Sequence, residues 1–165
     1  MNPVSAPPCP PGGERALTSG ECALVAEVFG KSIDTEPVRI RRRRWFPFQP
    51  TGTVMAPMGH IHFTPACPHY CDNFAAAPLA AQGLFVHEMV HVWQTQTRGR
   101  LWLPLMRHPF CKYSYTYDPA RPFHRYGIEQ QAELVRHLFM ARRGAPSPVA
   151  PPLPALEALV PFTNT

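Results

Sequence analysis

Along the chain, apolar and polar positions first fall into a helical rhythm between residues 18 and 30. Ala23, Leu24, Val25, Val28 and Phe29 follow Thr18-Ser19-Gly20-Glu21. That tetrad has the spacing of a capping box, in which the Thr side chain meets the backbone N–H of the Glu and the Glu side chain returns to that of the Thr. With Gly30 as a stop, the segment predicts a short helix. Val38-Arg39-Ile40-Arg41 then alternates as a half-buried strand, and His60-Ile61-His62-Phe63 does so again after the turn residues Pro57 and Gly59. Two or three strands are therefore expected before residue 78.

From Pro78 to Gln96 the pattern becomes a helix that is apolar nearly all round. Leu79, Val86, Val90 and Trp93 share one face, and Leu84, Phe85 and Val92 cover others, which predicts burial. Residues 98–126 form a long irregular stretch rich in Pro, Arg and Tyr, of a length that favours a functional role. A last helix is expected from Gly127 to Arg143, with Ile128, Ala132, Val135 and Phe139 in one stripe and Gly144 and Pro146 beyond it. A short helix, two or three strands and two later helices are read as an α+β domain: a small sheet packed on the buried helix 78–96, with the last helix beside them.

Composition divides the chain. Of 22 prolines among 165 residues, five lie within residues 1–11 and six within 146–161. This predicts a flexible proline-rich arm over residues 1–16, a folded domain over 17–144 and a proline-rich tail over 145–165. The net charge of +5 comes from arginine, with Arg41 to Arg44 in one run; this reads as a solvated surface or strand end. Nothing resembles an aromatic RNA-binding signature or a zinc finger, so nucleic acid is not the expected partner. Five dispersed cysteines imply no disulfide framework. There is no basic leader followed by an apolar run, and no stretch reaches the roughly 18 apolar residues of a membrane helix. The expected location is the cytoplasm, or outside it after export without a cleaved signal.

The buried helix carries the chemistry. His87-Glu88-Met89-Val90-His91 matches H-E-x-x-H, whose two histidines lie one turn apart on one face and can reach one zinc ion, with Glu88 beside the open coordination position as general base. Glu88 is also the one charged residue between Asn73 and Thr97, and a buried carboxylate is costly without a compensating cation. The metzincin continuation is absent, since Gln94 and Thr97 stand where its Gly and third His would be, so a further ligand must come from another helix. Glu129 and Glu133 lie at i and i+4 beside the apolar stripe of the last helix. One can bind zinc while the other holds a ligand imidazole; Glu129 is the expected ligand and Glu133 the outer partner, although the reverse stays open.

This pairing resembles the thermolysin-like gluzincins, whose second motif is a Glu followed four residues later by an acid, commonly Asp; Glu133 is longer by one methylene. A closer likeness is to small bacterial Vgr-related proteins and the H-E-x-x-H domains of contractile injection systems. It rests on Leu17-Thr18 through Phe29-Gly30, Val38-Arg39-Ile40, Met55-Ala56-Pro57, Phe85 to Gln94 and Tyr126 to Glu133, and it spans roughly residues 17–143. The resemblance implies a zincin-like fold and a zinc metallopeptidase, acting on a peptide or protein substrate and associated with secretion machinery. The alternative is a zinc-binding scaffold or adaptor without catalysis.

Other residues invite chemistry with less support. Tyr113, Tyr115, Tyr117, Tyr126, His108 and His124 are candidate oxyanion donors among which the sequence does not choose. His60 and His62 are expected in the cleft wall. Together with Cys67, His69 and Cys71 they could form a second metal site, and Cys9 could cap the first, but a cleft wall for the histidines and a disordered arm for Cys9 are the expected readings.

Overall fold

A computed structural model describes residues 8–106 and 111–162 of the chain. It shows an α+β fold with a three-stranded sheet. Strands β1 (Glu14–Ala16) and β2 (Arg39–Arg41) pair antiparallel with Arg15 opposite Ile40, and β2 pairs in parallel with β3 (Ile61–His62), Ile40 opposite Ile61. The helices are α1 (Ser19–Phe29), α2 (Leu79–Arg98), α3 (Trp102–Met106), α4 (Ile128–Arg142) and α5 (Leu153–Leu159).

The expected capping box begins α1. The Thr18 hydroxyl accepts from Glu21 N at 3.1 Å and Glu21 Oε2 accepts from Thr18 N at 2.8 Å. On the sheet, Ile40 and Ile61 point into the core. Stacked rings of Phe63, Phe74 and Phe85, with centroids 5.5 and 5.3 Å apart, tie the end of β3 to α2. The arginine run closes the strand end as expected: Arg41 and Arg43 both reach Glu14, while Arg42 donates to the carbonyls of Cys9 and Pro65.

Helix α2 is the axis of the molecule. It ends at Gly99, whose φ of 101° an L side chain rarely adopts. Against it lies α4, which buries Ala132, Val135 and Phe139 of the predicted stripe together with Leu134 and Leu138, while Ile128 is half-buried. Gly83 permits the close approach, since a Cβ there would lie 3.0 Å from Met140 Sδ and 3.5 Å from Arg136 Nε. The H-E-x-x-H turn of α2 thus faces the first two turns of α4.

The proline-rich ends are partly folded, which corrects the expected arm and tail at particular residues. Residues 1–7 and 163–165 lie outside the described residues, but Cys9 is buried and residues 14–16 form β1. In the tail, α5 starts after Pro152 and buries Leu156, and Phe162 packs on Phe29 and Trp93 at 5.0 and 4.9 Å. Proline density signals constrained backbone, not absence of packing: Pro154 sits in the first turn of α5, where its missing N–H is not needed. The irregular stretch of residues 98–126 also contains α3 and a short 3-10 turn at Phe123–Arg125.

His62 is a buried base held neutral. Burial, reinforced by the charges of Arg41, His60 and Arg43, outweighs its contact with the Arg43 carbonyl and lowers its pKa from the ordinary 6.5 to about 4. The folded chain therefore refuses a proton that the unfolded chain accepts below about pH 6.5. Stability should fall as pH drops from 6.5 towards 4, by about 3 kcal/mol in all, and contribute no slope above 6.5. Urea titrations across that range check this: His62→Gln should flatten the slope, and an unchanged slope refutes the assignment.

Candidate metal centre

Three side chains from two helices converge. His87 and His91, one turn apart on α2, aim their Nε2 atoms at Glu129 Oε2 in the first turn of α4, at 3.2 and 3.1 Å. All three residues are buried, and their ligand atoms lie within 4.8 Å of one another. Each imidazole is held from behind by a different group. His87 Nδ1 lies 2.7 Å from Glu133 Oε1, and His91 Nδ1 lies 2.9 Å from Gln94 Oε1. Because a carboxylate and an amide oxygen only accept, each Nδ1 donates to its partner, which leaves each Nε2 to offer its lone pair to an ion bound between it and Glu129.

That donor set fits a metal ion. Two imidazole Nε2 atoms and a carboxylate oxygen, all from buried residues, face one point, an arrangement that a bound cation would satisfy. Electrostatics agree. Burial works against a charged His87, yet its hydrogen bonds to Glu129 and Glu133 and the nearby charge of Glu88 push its pKa up to about 9, so the surroundings favour positive charge. Glu88 is buried beside His87, and its Oε2 has no hydrogen-bond partner. Such an orphaned carboxylate oxygen is costly unless the site uses it.

The two acids of α4 separate clearly: Glu129 stands with both Nε2 atoms, whereas Glu133 sits behind His87. Burial disfavours the charged form of Glu133, but His87, with Arg136 and His137 beyond it, outweighs that and holds its carboxyl below the usual range. His137 Nε2 faces Glu133 Oε2 at 3.6 Å, and Tyr115 Oη lies within hydrogen-bond distance of His137 Nδ1, at 2.6 Å.

A cavity of about 710 Å³ opens in front of His87 and Glu88. Val54, Pro78, Ala81 and Leu84 make its wall apolar, with Glu133 and Arg136 also lining it. Of the candidate oxyanion donors, Tyr113 lines this cavity and stacks on His87 with centroids 6.1 Å apart. Tyr115 is engaged with His137, and the Tyr126 hydroxyl accepts from Asp118 N. Tyr117 and His124 line other cavities, and His108 lies outside the described residues.

His60 and His62 do not appear in the wall of this cavity, which corrects their expected place: β3 turns His62 into the core. The wall is built instead from residues 52–54 and the loop at Pro68 and His69. Among the described residues, Cys67, His69 and Cys71 form no metal-binding group, and buried Cys9 is bonded near Asp72 and Arg42, away from the cavity lining. Sequence reasoning missed Gln94 and Gln131. The one available signal was Gln94 itself, three residues after His91 on the same helix face.

Fold and site together define an α+β domain whose buried His-His-Glu group, shared between two helices, could hold a metal ion. No family model matches the chain. The solved effector domain of Pseudomonas aeruginosa VgrG2b superposes on it with a TM-score of 0.73 at 31% identity, over 97% of this chain and 88% of that one. The type VI secretion system spike protein VgrG2b of the same organism is 39% identical over 134 residues, 78% of this chain, which spans 13% of that protein's length. The chain belongs to the family of the VgrG2b effector domain. Among the described residues, no helix is long and apolar enough to cross a membrane.

Proposed function

We propose that this domain is a zinc-dependent hydrolase of peptide or amide bonds, with a zincin-like gluzincin site, acting as an effector delivered by a type VI secretion system. The observation that carries the chemistry is the orphaned Glu88 carboxylate oxygen, beside a His-His-Glu group of which His87, like Glu88, lines an open cavity. The kinship with a secretion-system effector domain supports the setting. Export through such a machine requires no cleaved signal.

His87, His91 and Glu129 would hold the ion, Glu133 and Gln94 keeping the two imidazoles in the tautomer that offers Nε2. Zinc bound there would polarise a substrate carbonyl and make a nearby water more acidic. Glu88 takes the proton of the attacking water and passes it to the leaving nitrogen. The apolar wall of Pro78, Ala81 and Leu84 receives an extended substrate segment and excludes water from the reacting groups.

The test combines metal content with a cleavage screen of peptides, proteins and cell-wall fragments, comparing the parent chain with Glu88→Gln. The parent should hold one zinc and cleave; the variant should keep its zinc and lose about 10²- to 10⁴-fold in rate. If no zinc is retained, the metal reading fails. If zinc is bound but both chains behave alike, the domain is a metal-bearing scaffold and not a peptidase.

A further inference from the structure

The two imidazoles of the centre are held from behind by chemically different partners, and the one behind His91 is the first link of a chain. Gln94 Oε1 faces His91 Nδ1 at 2.9 Å. The Gln94 amide nitrogen donates to Gln131 Oε1 at 3.0 Å and to the Ile128 carbonyl at 3.1 Å. Gln131 in turn donates its amide to the Tyr126 carbonyl at 2.8 Å. Both glutamines are buried, at 2% and 8% exposure, so water does not substitute for these partners.

Each amide can point only one way. Rotating Gln94 by half a turn would set its oxygen against the Ile128 carbonyl and Gln131 Oε1, three acceptors with no proton among them. Rotating Gln131 would set its oxygen against the Tyr126 carbonyl and its N–H groups against those of Gln94. The backbone carbonyls of Tyr126 and Ile128 thus fix Gln131 and Gln94, and Gln94 fixes the proton on His91 Nδ1.

We infer that Gln94 and Gln131 are positioning residues of the metal centre: a neutral amide relay, anchored on backbone carbonyls at the start of α4, that locks His91 in the tautomer presenting Nε2 to the ion. The inference rests on the metal reading above. Neutrality is the point of the arrangement. Glu88, Glu129 and Glu133 already bring three carboxylates to a buried site, and a fourth behind His91 would exceed what a divalent ion and its neighbours compensate. An amide orients the ring with no added charge. The relay also joins α2 to α4, so the orientation of His91 and the placing of Glu129 depend on the same contact.

The experiment measures zinc affinity by competition with a chromophoric chelator, and the His91 tautomer by long-range nitrogen–proton NMR, in Gln94→Leu, Gln131→Leu and the double variant. Gln94→Leu should weaken zinc binding about 10- to 100-fold and lose the fixed Nδ1 proton. Gln131→Leu, which touches neither His91 nor the ion, should weaken it less, and the double variant no further than Gln94→Leu alone, because both act through one ring. Gln94→Met, close to glutamine in length but without its amide, should likewise lose the fixed Nδ1 proton and serves if the leucine variants do not fold. Losses that multiply, or a His91 tautomer indifferent to Gln94, overturn the relay. If the parent chain bound no zinc the metal reading would fall, and the tautomer of the metal-free chain would still judge the relay.

Discussion

Glu129→Gln should leave a folded domain that no longer retains zinc through dialysis. Glu129 is the one side chain of α4 whose oxygen faces both imidazole Nε2 atoms, at 3.2 and 3.1 Å, so the change removes a charged ligand from the centre of the donor set. The amide is nearly isosteric, which keeps the α2–α4 packing intact, but it is neutral and carries donors where only acceptors serve. Affinity should fall by more than the roughly 100-fold that an outer partner costs. Glu133→Gln, behind His87, should stay within that roughly 100-fold. The order of the two losses decides which acid is the ligand, and a larger loss at Glu133 would reverse the assignment.

Stability supplies a second readout of the same change. With free zinc about 1,000-fold above its dissociation constant, binding to the folded state alone adds about 4 kcal/mol, which at this chain length corresponds to on the order of 10 °C in melting temperature. A chelator should lower the melting temperature of the parent by about that much and leave Glu129→Gln unmoved. Equal chelator sensitivity in both chains would mean that the ion is held elsewhere.

Long periodic segments were the legible part of this fold. The apolar face of α2, the stripe of α4 and the Thr18 capping box each place several residues on one pattern, so they read correctly from local chemistry. The sheet was harder, because strands of two or three residues hold too few positions for alternation to fix register; β1, Glu14–Ala16, has no pattern of its own and exists through pairing with β2. Proline content misdirected the ends, since it reports backbone constraint while Leu156, Val160 and Phe162 supply the apolar face that docks.

In the site, the His pair and the Glu pair were legible because each repeats at helical spacing. Which glutamate meets which nitrogen was not, since that depends on how far α4 slides along α2, a quantity set by contacts such as Gly83 against Met140. The glutamine relay was invisible for the same reason. Gln94 and Gln131 are ordinary helix residues until the two helices meet.

A comparable loss of stability from a single change should come at Glu21, outside the metal centre. This carboxylate is fully buried and has four partners: Arg15 Nη1 and Nη2 at 2.8 and 2.9 Å, Thr18 N at 2.8 Å and Phe74 N at 2.9 Å. Arg15 also donates to the Cys71 carbonyl, so one ion pair ties β1, the cap of α1, the loop at Cys71 and the turn leading into α2. Glu21→Ala would strand a buried guanidinium and two backbone N–H groups, and breaking a buried pair from one side costs about 3–5 kcal/mol. For a domain whose whole stability is about 5–15 kcal/mol, that is on the order of 10 °C in melting temperature. Replacing both partners, Arg15→Leu with Glu21→Leu, should cost less than Glu21→Ala, because no charge is left buried. Since Cys71 lines the cavity in front of Glu88, partial unfolding of Glu21→Ala should first expose that wall to hydrogen exchange, while the α2–α4 contact stays protected. A melting temperature within about 2 °C of the parent, a shift worth under about 1 kcal/mol at this length, would refute the assignment.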